Sequence, residues 1–300
     1  YLSICRQHNL KQEEANLLSE YLHDLGIILH FQDDPILQNI VILKPEWGTN
    51  AVYKVLDTKQ VQREKGRFHF SELKYIWSDS YYPSEKHIEL LRLMEKFELC
   101  FKLVDTDEYI VPELLSPKRP EFIWDYQNNL RFEYHYGFMP AGIITRFIVR
   151  NHRLIQSNVY WQLGIILERE GNEALVFSEP LNKKIKIYIK GTNSKELLAI
   201  IRNEFDYIHK SLNNPDVKEM IPCICDECKQ HEPYFYDYEF LKKCSLKRKN
   251  KILCPMSIED VPVEKLLSGV IQEVKETIKI PEDEIENVTE RVNSIIHIHG

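Results

Sequence analysis

Residues 22–35 read Leu-His-Asp-Leu-Gly-Ile-Ile-Leu-His-Phe-Gln-Asp-Asp-Pro, and residues 41–47 read Val-Ile-Leu-Lys-Pro-Glu-Trp. Gly26 suits the left-handed position that ends many helices, because glycine has no steric penalty at positive φ. The apolar runs Ile27–Phe31 and Ile40–Leu43 flank an Asp-Asp-Pro turn and predict two paired strands. The proline of Lys-Pro-Glu-Trp fits the first turn of a new helix, where no N–H is needed. This stretch therefore predicts helix, hairpin and helix in order.

The rest of the sequence up to residue 120 predicts further helices and a second hairpin. From Ser3 to Asp24 the apolar spacing is helical. The predicted buried stripe of this segment is Leu17, Leu18, Tyr21, Leu22 and Leu25. Ser84 can cap another helix, whose predicted buried face is Ile88, Leu91, Met94 and Phe97. Leu99–Val104 and Tyr109–Val111 then predict a hairpin, so residues 1–120 are expected to form a winged-helix-like unit.

Prolines mark a predicted domain boundary near residue 120. Pro112, Pro117 and Pro120 interrupt regular structure. Beyond them, residues 130–136 alternate apolar and polar side chains, as in a strand with one solvated face. Pro140 is expected in the first turn of the following helix.

Residues 121–280 are predicted to form an antiparallel-sheet α/β subdomain. Tyr160–Glu168 and Glu173–Ser178 predict strands, and Lys184–Lys190 alternates lysine with isoleucine. Ser194 can cap a long helix with the core stripe Leu197, Ile201, Phe205 and Ile208. Residues 281–300 are interpreted as an acidic tail. The predicted fold class is α+β, with a winged-helix-like N-terminal subdomain followed by the antiparallel-sheet subdomain.

Composition and charge exclude some functional classes. The 300 residues are 43% hydrophobic and carry a formal net charge of −7, which is ample for folded cores and unlike a generally basic nucleic-acid binder. No apolar run reaches the roughly 18 residues of a membrane-spanning helix, so no membrane contact and a cytoplasmic location are expected. The chain begins at Tyr1 without an initiator methionine, so we expect it to be a fragment of a longer protein.

Five of the seven cysteines fall between residues 223 and 254. An odd count without a secretion signal argues against a disulfide framework. Cys223, Cys225, Cys228 and Cys254 offer four thiolates, the ligand set of structural zinc sites, with Cys244 and His231 in reserve. The sequence leaves two alternatives open, namely ordinary packed thiols and redox chemistry.

No catalytic constellation is apparent. None of the 11 histidines lies beside a serine or cysteine nucleophile in a recognisable elbow, and we predict no catalytic residue. Gly137 and Gly142 have the spacing of a phosphate-binding loop, but Ile143 and Ile144 stand where that loop needs lysine and a hydroxyl residue. The chain is therefore not expected to bind GTP by such a loop.

Residues 242–251 carry six lysine and arginine side chains. Together with the order of helices and hairpin, this run supports an alternative function, a zinc-stabilised winged-helix protein that binds nucleic acid. Aromatic residues are not interleaved with these charges, and the chain as a whole is acidic. We therefore favour a solvated segment and do not predict a nucleic-acid partner.

Three segments resemble the COR domain that follows the Ras-like Roc GTPase domain in Roco proteins of the bacterial type. The first comprises Leu-His-Phe-Gln-Asp at 29–33 and Lys-Pro-Glu-Trp at 44–47. The second is Phe-Met-Pro-Ala-Gly at 138–142, with Arg146 four residues on. The third is Ile-Val-Pro at 110–112, which is similar to the closing strand of the family's wing. The resemblance extends over residues 1 to about 210.

This resemblance implies a function without catalysis in the chain itself. In the family, the first half packs against the Roc domain of the same protein and the second half forms a homodimer, so that nucleotide state and dimerisation are linked. GTP and GDP would bind only in an upstream Roc domain, and the full-length protein would be a GTPase. By its position in the motif, Val41 is the residue we expect to contact the Roc domain. No cofactor other than the hypothetical structural zinc is expected here.

Overall fold

The computed structural model describes residues 1–126, 129–268 and 270. Residues 1–120, here called the first half, are mainly helical. In chain order their elements are α1 (Leu2–Gln7), α2 (Gln12–Asp24), α3 (Pro45–Asp57), α4 (Lys59–Arg63), β1 (Arg67–His69), α5 (Leu73–Ile76), α6 (His87–Lys96), β2 (Phe101–Lys102) and β3 (Glu108–Ile110). The three strands form one antiparallel sheet in the order β1-β3-β2.

The remaining residues, here called the second half, contain a larger sheet. In chain order their elements are β4 (Leu130–Tyr136), α7 (Ile143–Arg150), β5 (Ile155–Trp161), β6 (Gly164–Arg169), β7 (Asn172–Glu179), β8 (Lys184–Lys190), α8 (Ser194–Ser211), β9 (Val217–Pro222), α9 (Asp226–Gln230), β10 (Phe235–Asp237), α10 (Tyr238–Leu246), β11 (Lys251–Leu253), β12 (Asp260–Pro262) and α11 (Val263–Ser268). Seven strands pair antiparallel in the order β10-β9-β4-β8-β7-β6-β5, and β11 pairs with β12 separately. The α+β class predicted from the sequence is confirmed.

The sheet of the second half has an inner and an outer face. On the inner face, Phe132, Ile187 and other alternating side chains pack against α7 and α8 in one continuous core. Phe147 of α7 and Phe205 of α8 stack with ring centroids 4.4 Å apart. The predicted strand at 130–136, the Lys-Ile strand at 184–190 and the stripe of the long helix are confirmed, because period-two and period-3.6 patterns persist through these elements.

The predicted strand pair Ile27–Phe31 and Ile40–Leu43 is wrong. Only Leu29 and Ile42 form a β-bridge. The connection folds inward instead: the buried Asp34 carboxylate accepts hydrogen bonds from the backbone N–H groups of Ile36 and Leu37 and from the Arg92 side chain. Leu37 is fully buried beside Ile42 and Leu93. A buried connection and a single bridge therefore stand in place of the predicted hairpin.

The predicted buried faces of two helices are also partly wrong. Leu17, Tyr21 and Leu25 are exposed, whereas Ala15 and Ser19 are the buried residues of α2. The Ser19 hydroxyl lies 2.8 Å from Nδ1 of His30, so a small polar residue fills the tightly packed side. The two ends of the predicted α6 face, Ile88 and Phe97, are exposed as well.

Three further boundaries differ from the predictions. Strand β1 is not among the elements predicted from the sequence, because only Phe68 of its three residues is apolar. Helix α7 begins at Ile143 rather than at Pro140, after Gly142 at φ +83°. A turn at residues 162–163 divides the predicted strand Tyr160–Glu168 into β5 and β6. The predicted acidic tail, residues 281–300, lies outside the described residues.

Candidate functional site

The structure brings together the four cysteines predicted as metal ligands. Cys223, Cys225 and Cys228 follow β9, and α9 begins directly after Cys225. Cys254 follows β11 in the hairpin formed with β12. The four Sγ atoms lie within 4.8 Å of one another, and all four residues are buried. The predicted reserve ligands, Cys244 and His231, are not in this group.

Hydrogen-bond donors surround these sulfur atoms. Burial raises the pKa of Cys254, but the N–H groups of Ser257 and Met256 donate to its sulfur and lower its pKa to about 6 overall. At Cys228, burial prevails and raises the pKa to about 11. The Ser257 hydroxyl also lies 3.4 Å from Sγ of Cys225. The site therefore offers four sulfur donors close together.

Val41, the predicted Roc contact, is half-buried next to the Leu29–Ile42 bridge. Exposed apolar side chains lie on the neighbouring elements. We call this set the chain-start surface: Leu17, Tyr21, Leu25, Ile27 and Leu43. Ile27 and Leu43 line one shallow depression, together with Pro45 at the start of α3. These residues give the first half an apolar surface that no described part of the chain covers.

An ionic joint connects the two halves. Glu98, just after α6, accepts hydrogen bonds from Arg146 at 2.6 Å and from Arg150 at 2.7 Å, both on α7. Arg150 also donates to Glu204 of α8 at 2.5 Å. Glu98 has φ +58°, a conformation that favours glycine. Sequence reasoning missed this joint; its only signal was the four-residue spacing of the two arginines on α7.

The outer face of the large sheet has a thin cover. Residues 119–126, here called the strap, run across it without helix or strand. Phe122 and Trp124 of the strap pack on Trp161 and neighbouring side chains. Gly164 makes room for the ring of Trp161, since a Cβ atom at that position would overlap it. The Arg119 guanidinium lies 4.4 Å from the centre of the Phe122 ring.

One strap residue points away from the protein. Ile123, between the packed Phe122 and Trp124, is 100% exposed. The inner face, in contrast, is covered by two helices. The outer face is therefore covered by a single layer of extended chain, the strap, which exposes the aliphatic side chain of Ile123 to solvent.

The basic run at 242–251 is solvated. Lys242 and Lys243 lie on α10, and Lys242 pairs with Glu239 at 2.8 Å. The residues from Ser245 to Lys251 are exposed. This arrangement agrees with the solvated segment favoured by the sequence, and the comparisons below give the nucleic-acid alternative no support. Among the described residues, no helix is long and apolar enough to cross a membrane.

Two family models match the chain. Residues 1–115 match the C-terminal of Roc, COR-A domain, and residues 127–269 match the C-terminal of Roc, COR-B domain. Together they cover most of the 300 residues. The gap between the two matches, residues 116–126, contains the whole strap.

Similar proteins carry the same domains within much longer chains. The probable serine/threonine-protein kinase pats1 of Dictyostelium discoideum is 27% identical over 91% of this chain. A Roc-COR-CHAT protease of Runella zeae is 27% identical over 65% of it. The chain spans only 9% of the kinase and 21% of the protease.

A solved structure also shares sequence with part of the chain. The GDP-bound RocCORdC structure of Methanosarcina barkeri Roco2 is 36% identical over 35% of this chain and 33% of its own, with a TM-score of 0.32. The two family matches, which take up nearly the whole described sequence, identify the chain itself. It belongs to the COR family, the domains C-terminal of Roc in Roco proteins, and comprises a COR-A and a COR-B domain.

Proposed function

We propose that this chain is the dimerisation and coupling module of a Roco-type GTPase and carries out no catalysis itself. Family membership supports this role, since COR domains follow Roc domains. The proposal places GTP and GDP in an upstream Roc domain and the protein in the cytoplasm. The module would hold two Roc domains together so that nucleotide state and dimerisation are linked.

The first half would contact the Roc domain of the same protein. Helices α3–α6 with β1 between them, followed by the β2–β3 hairpin, support a winged-helix-like subdomain over residues 1–120. Val41 and the exposed Leu17 and Tyr21 are the side chains that a Roc domain would cover. Burying an exposed leucine or tyrosine contributes about 1.5–3 kcal/mol to such a contact.

The second half would form the homodimer. The observation that carries this proposal is the uneven cover of the large sheet, with two helices on the inner face and only the strap on the outer face. An apolar sheet face is usually buried against another layer, and a second copy would supply that layer over the apolar outer face. Ile123 would lie at a two-fold interface, where the same patch of each copy packs against the other. Tyr126, which is also exposed, would extend that patch.

The ionic joint would couple contact with the Roc domain to homodimerisation. Glu98 belongs to the end of α6 in the first half, and its arginine partners belong to α7, which packs on the inner face of the sheet. A shift of the first half against a Roc domain would therefore move α7 directly. Two carboxylates, Glu98 and Glu204, share Arg150 and fix its position.

The dimer is tested with two matched variants in the whole chain. Ile123→Asp places a charge on the strap, and Leu181→Asp places one on a residue of equal exposure, 98%, in the turn between β7 and β8. Light scattering of Ile123→Asp should show dissociation at concentrations at least tenfold higher than for the unchanged chain. Leu181→Asp should leave the mass unchanged. Equal behaviour of the two variants would count against the outer face as the interface.

The contact with Roc is tested in the full-length protein. Val41→Asp and Leu17→Asp should weaken the dependence of dimer mass on bound nucleotide, because they disturb the proposed Roc-facing surface. Tyr75→Asp, at an exposed site on α5 outside that surface, is the control. A full-length protein whose mass does not respond to GTP or GDP would contradict the coupling role.

A further inference from the structure

We infer that Cys223, Cys225, Cys228 and Cys254 bind one structural Zn²⁺ ion. The proposal concerns a site that is separate from the dimer and Roc contacts and does not depend on them. The group holds four sulfur donors and, among the residues that the structure describes, no carboxylate or histidine, which makes it a set that Zn²⁺ prefers. The ion would act as a cross-link and would have no open position for a substrate.

The distances between the sulfur atoms fit a tetrahedral ion. Sγ of Cys254 lies 3.7 Å from Sγ of Cys225 and 3.7 Å from Sγ of Cys228. A tetrahedron with Zn–S bonds of about 2.3 Å has edges of about 3.8 Å. A disulfide would need sulfur atoms about 2.05 Å apart, and all four cysteines are free thiols. The spacing of the four sulfur atoms therefore fits one shared metal ion and does not fit disulfide bonds.

The surroundings are those of bound thiolates. A zinc ion with four thiolates carries a net charge of −2, which is costly to bury without donors. The Tyr236 hydroxyl lies 3.9 Å from Sγ of Cys223 and can donate a hydrogen bond to it. The Ser257 hydroxyl lies close to Cys225. Such outer donors orient and stabilise metal ligands.

The fold gives a reason for a cross-link at this place. β11 and β12 form a two-stranded sheet of three residues each, outside the seven-stranded sheet. An isolated hairpin of this size is marginally stable at best. Cys254 lies at the hairpin, and the other three cysteines lie beside β9 near the edge of the large sheet. One ion would thus tie the hairpin to that edge.

The chain provides its own control. Cys244 is buried in the same core as the cluster but is outside the set of four. Cys254→Ser removes a proposed ligand, and Cys244→Ser removes a neighbouring thiol. Both substitutions replace sulfur by oxygen at a buried position, so they differ mainly in the proposed role of the thiol.

The test uses the whole 300-residue chain with Zn²⁺ and Co²⁺ as probes. After purification, elemental analysis should give one zinc per chain for the unchanged protein and for Cys244→Ser. Cys254→Ser should retain less than a tenth of that amount. Co²⁺ added to the metal-free unchanged protein should give the strong thiolate-to-cobalt charge-transfer bands and the tetrahedral d–d bands of a four-sulfur site.

The cobalt spectrum keeps the proposal testable even where Cys254→Ser fails to fold, because it requires only the unchanged chain. Absence of bound zinc together with absence of a four-sulfur cobalt spectrum would overturn the proposal. Stoichiometric iron in place of zinc, or equal metal loss from Cys244→Ser and Cys254→Ser, would overturn it as well. A protein that binds zinc in this way but stays monomeric would support the zinc site and contradict only the proposed dimer.

Discussion

The two halves of the chain use their apolar residues in different ways. The second half gathers most of them into one core between α7, α8 and the inner face of the sheet, with a smaller cluster on the outer face. The first half has a smaller core around Trp77 and Met94 and leaves the Leu17 side of α2 in solvent. Apolar surface left exposed in this way commonly marks an interaction site. The two halves therefore differ in how much of the apolar surface of their helices they bury.

The largest expected effect concerns the core of the second half. Phe205→Ala should lower the free energy of unfolding by about 3–5 kcal/mol, because it removes a fully buried ring that stacks on Phe147. Denaturant unfolding followed by fluorescence would measure it. Trp77 lies in the first half and Trp161 in the second, so single-tryptophan variants can report each half. A loss below about 1 kcal/mol would contradict the close packing of α7 on α8.

A smaller effect is expected at the ionic joint. Glu98→Gln keeps the shape of the side chain but removes the charge that pairs with Arg146 and Arg150, which should cost about 1–3 kcal/mol. The same tryptophan variants should show the two halves unfolding at different denaturant concentrations. Asp107→Asn, which breaks only an exposed pair with Lys102, should cost about 0–1 kcal/mol. Equal losses for both variants would show that the joint does not link the halves.

Two neighbouring tyrosines of β4 should respond differently to loss of the hydroxyl. The Tyr136 hydroxyl lies 2.9 Å from Nε2 of His209, whereas the buried Tyr134 hydroxyl has no hydrogen-bond partner among the described residues. Tyr136→Phe should therefore destabilise the chain by about 1–2 kcal/mol, and Tyr134→Phe should be neutral or stabilising. Thermal unfolding of both variants would measure the difference. The reverse order would contradict this account of the inner face.

Stability should also depend on the protonation of His209. Burial lowers the pKa of this imidazole below its usual value of about 6.5, although Asp206 opposes the shift. The unfolded chain therefore takes up the proton first as the pH falls. The contribution of neutral His209 to the free energy of unfolding is therefore complete above about pH 6.5. It is lost as the pH falls through the lower pKa that His209 has in the folded chain. His209→Gln should make the free energy of unfolding depend less on pH in this range. An unchanged slope would mean that another group causes the pH dependence.

The smallest effect on stability is expected at the chain-start surface. Leu17→Gln should change the free energy of unfolding by less than about 0.5 kcal/mol, because the side chain is 70% exposed. Leu37→Gln, at a fully buried position nearby, is the contrasting variant and should destabilise strongly. Chemical denaturation would compare the two. A large loss for Leu17→Gln would mean that α2 packs on its apolar side after all.

The sequence predicted best those strands and helices whose apolar spacing reflects the face that they bury in the core. Strand β8 alternates in burial, β4 keeps Phe132, Tyr134 and Tyr136 buried on its inner face, and α8 keeps a stripe of four buried residues. The four cysteines were also selected together from their spacing, although 25 residues separate Cys228 from Cys254. Local periodicity and ligand chemistry suffice for such features.

The predictions from sequence were wrong where packing depends on contacts between residues far apart along the chain. The apolar spacing of α2 gives no means to tell that Ala15 and Ser19 face the core while Leu17 does not. The side chain of Arg92, 58 residues away, donates a hydrogen bond to Asp34 in the connection that the sequence predicts as a hairpin turn. Likewise, the positive φ of Glu98 and its two arginine partners become visible only when both halves are placed.

The central claim is that the second half joins two copies of this chain. The most direct measurement is the light-scattering mass of the unchanged 300-residue protein over a dilution series. The account predicts a mass near twice 35.7 kDa at high concentration that falls to 35.7 kDa on dilution. A mass of 35.7 kDa at every concentration would contradict it.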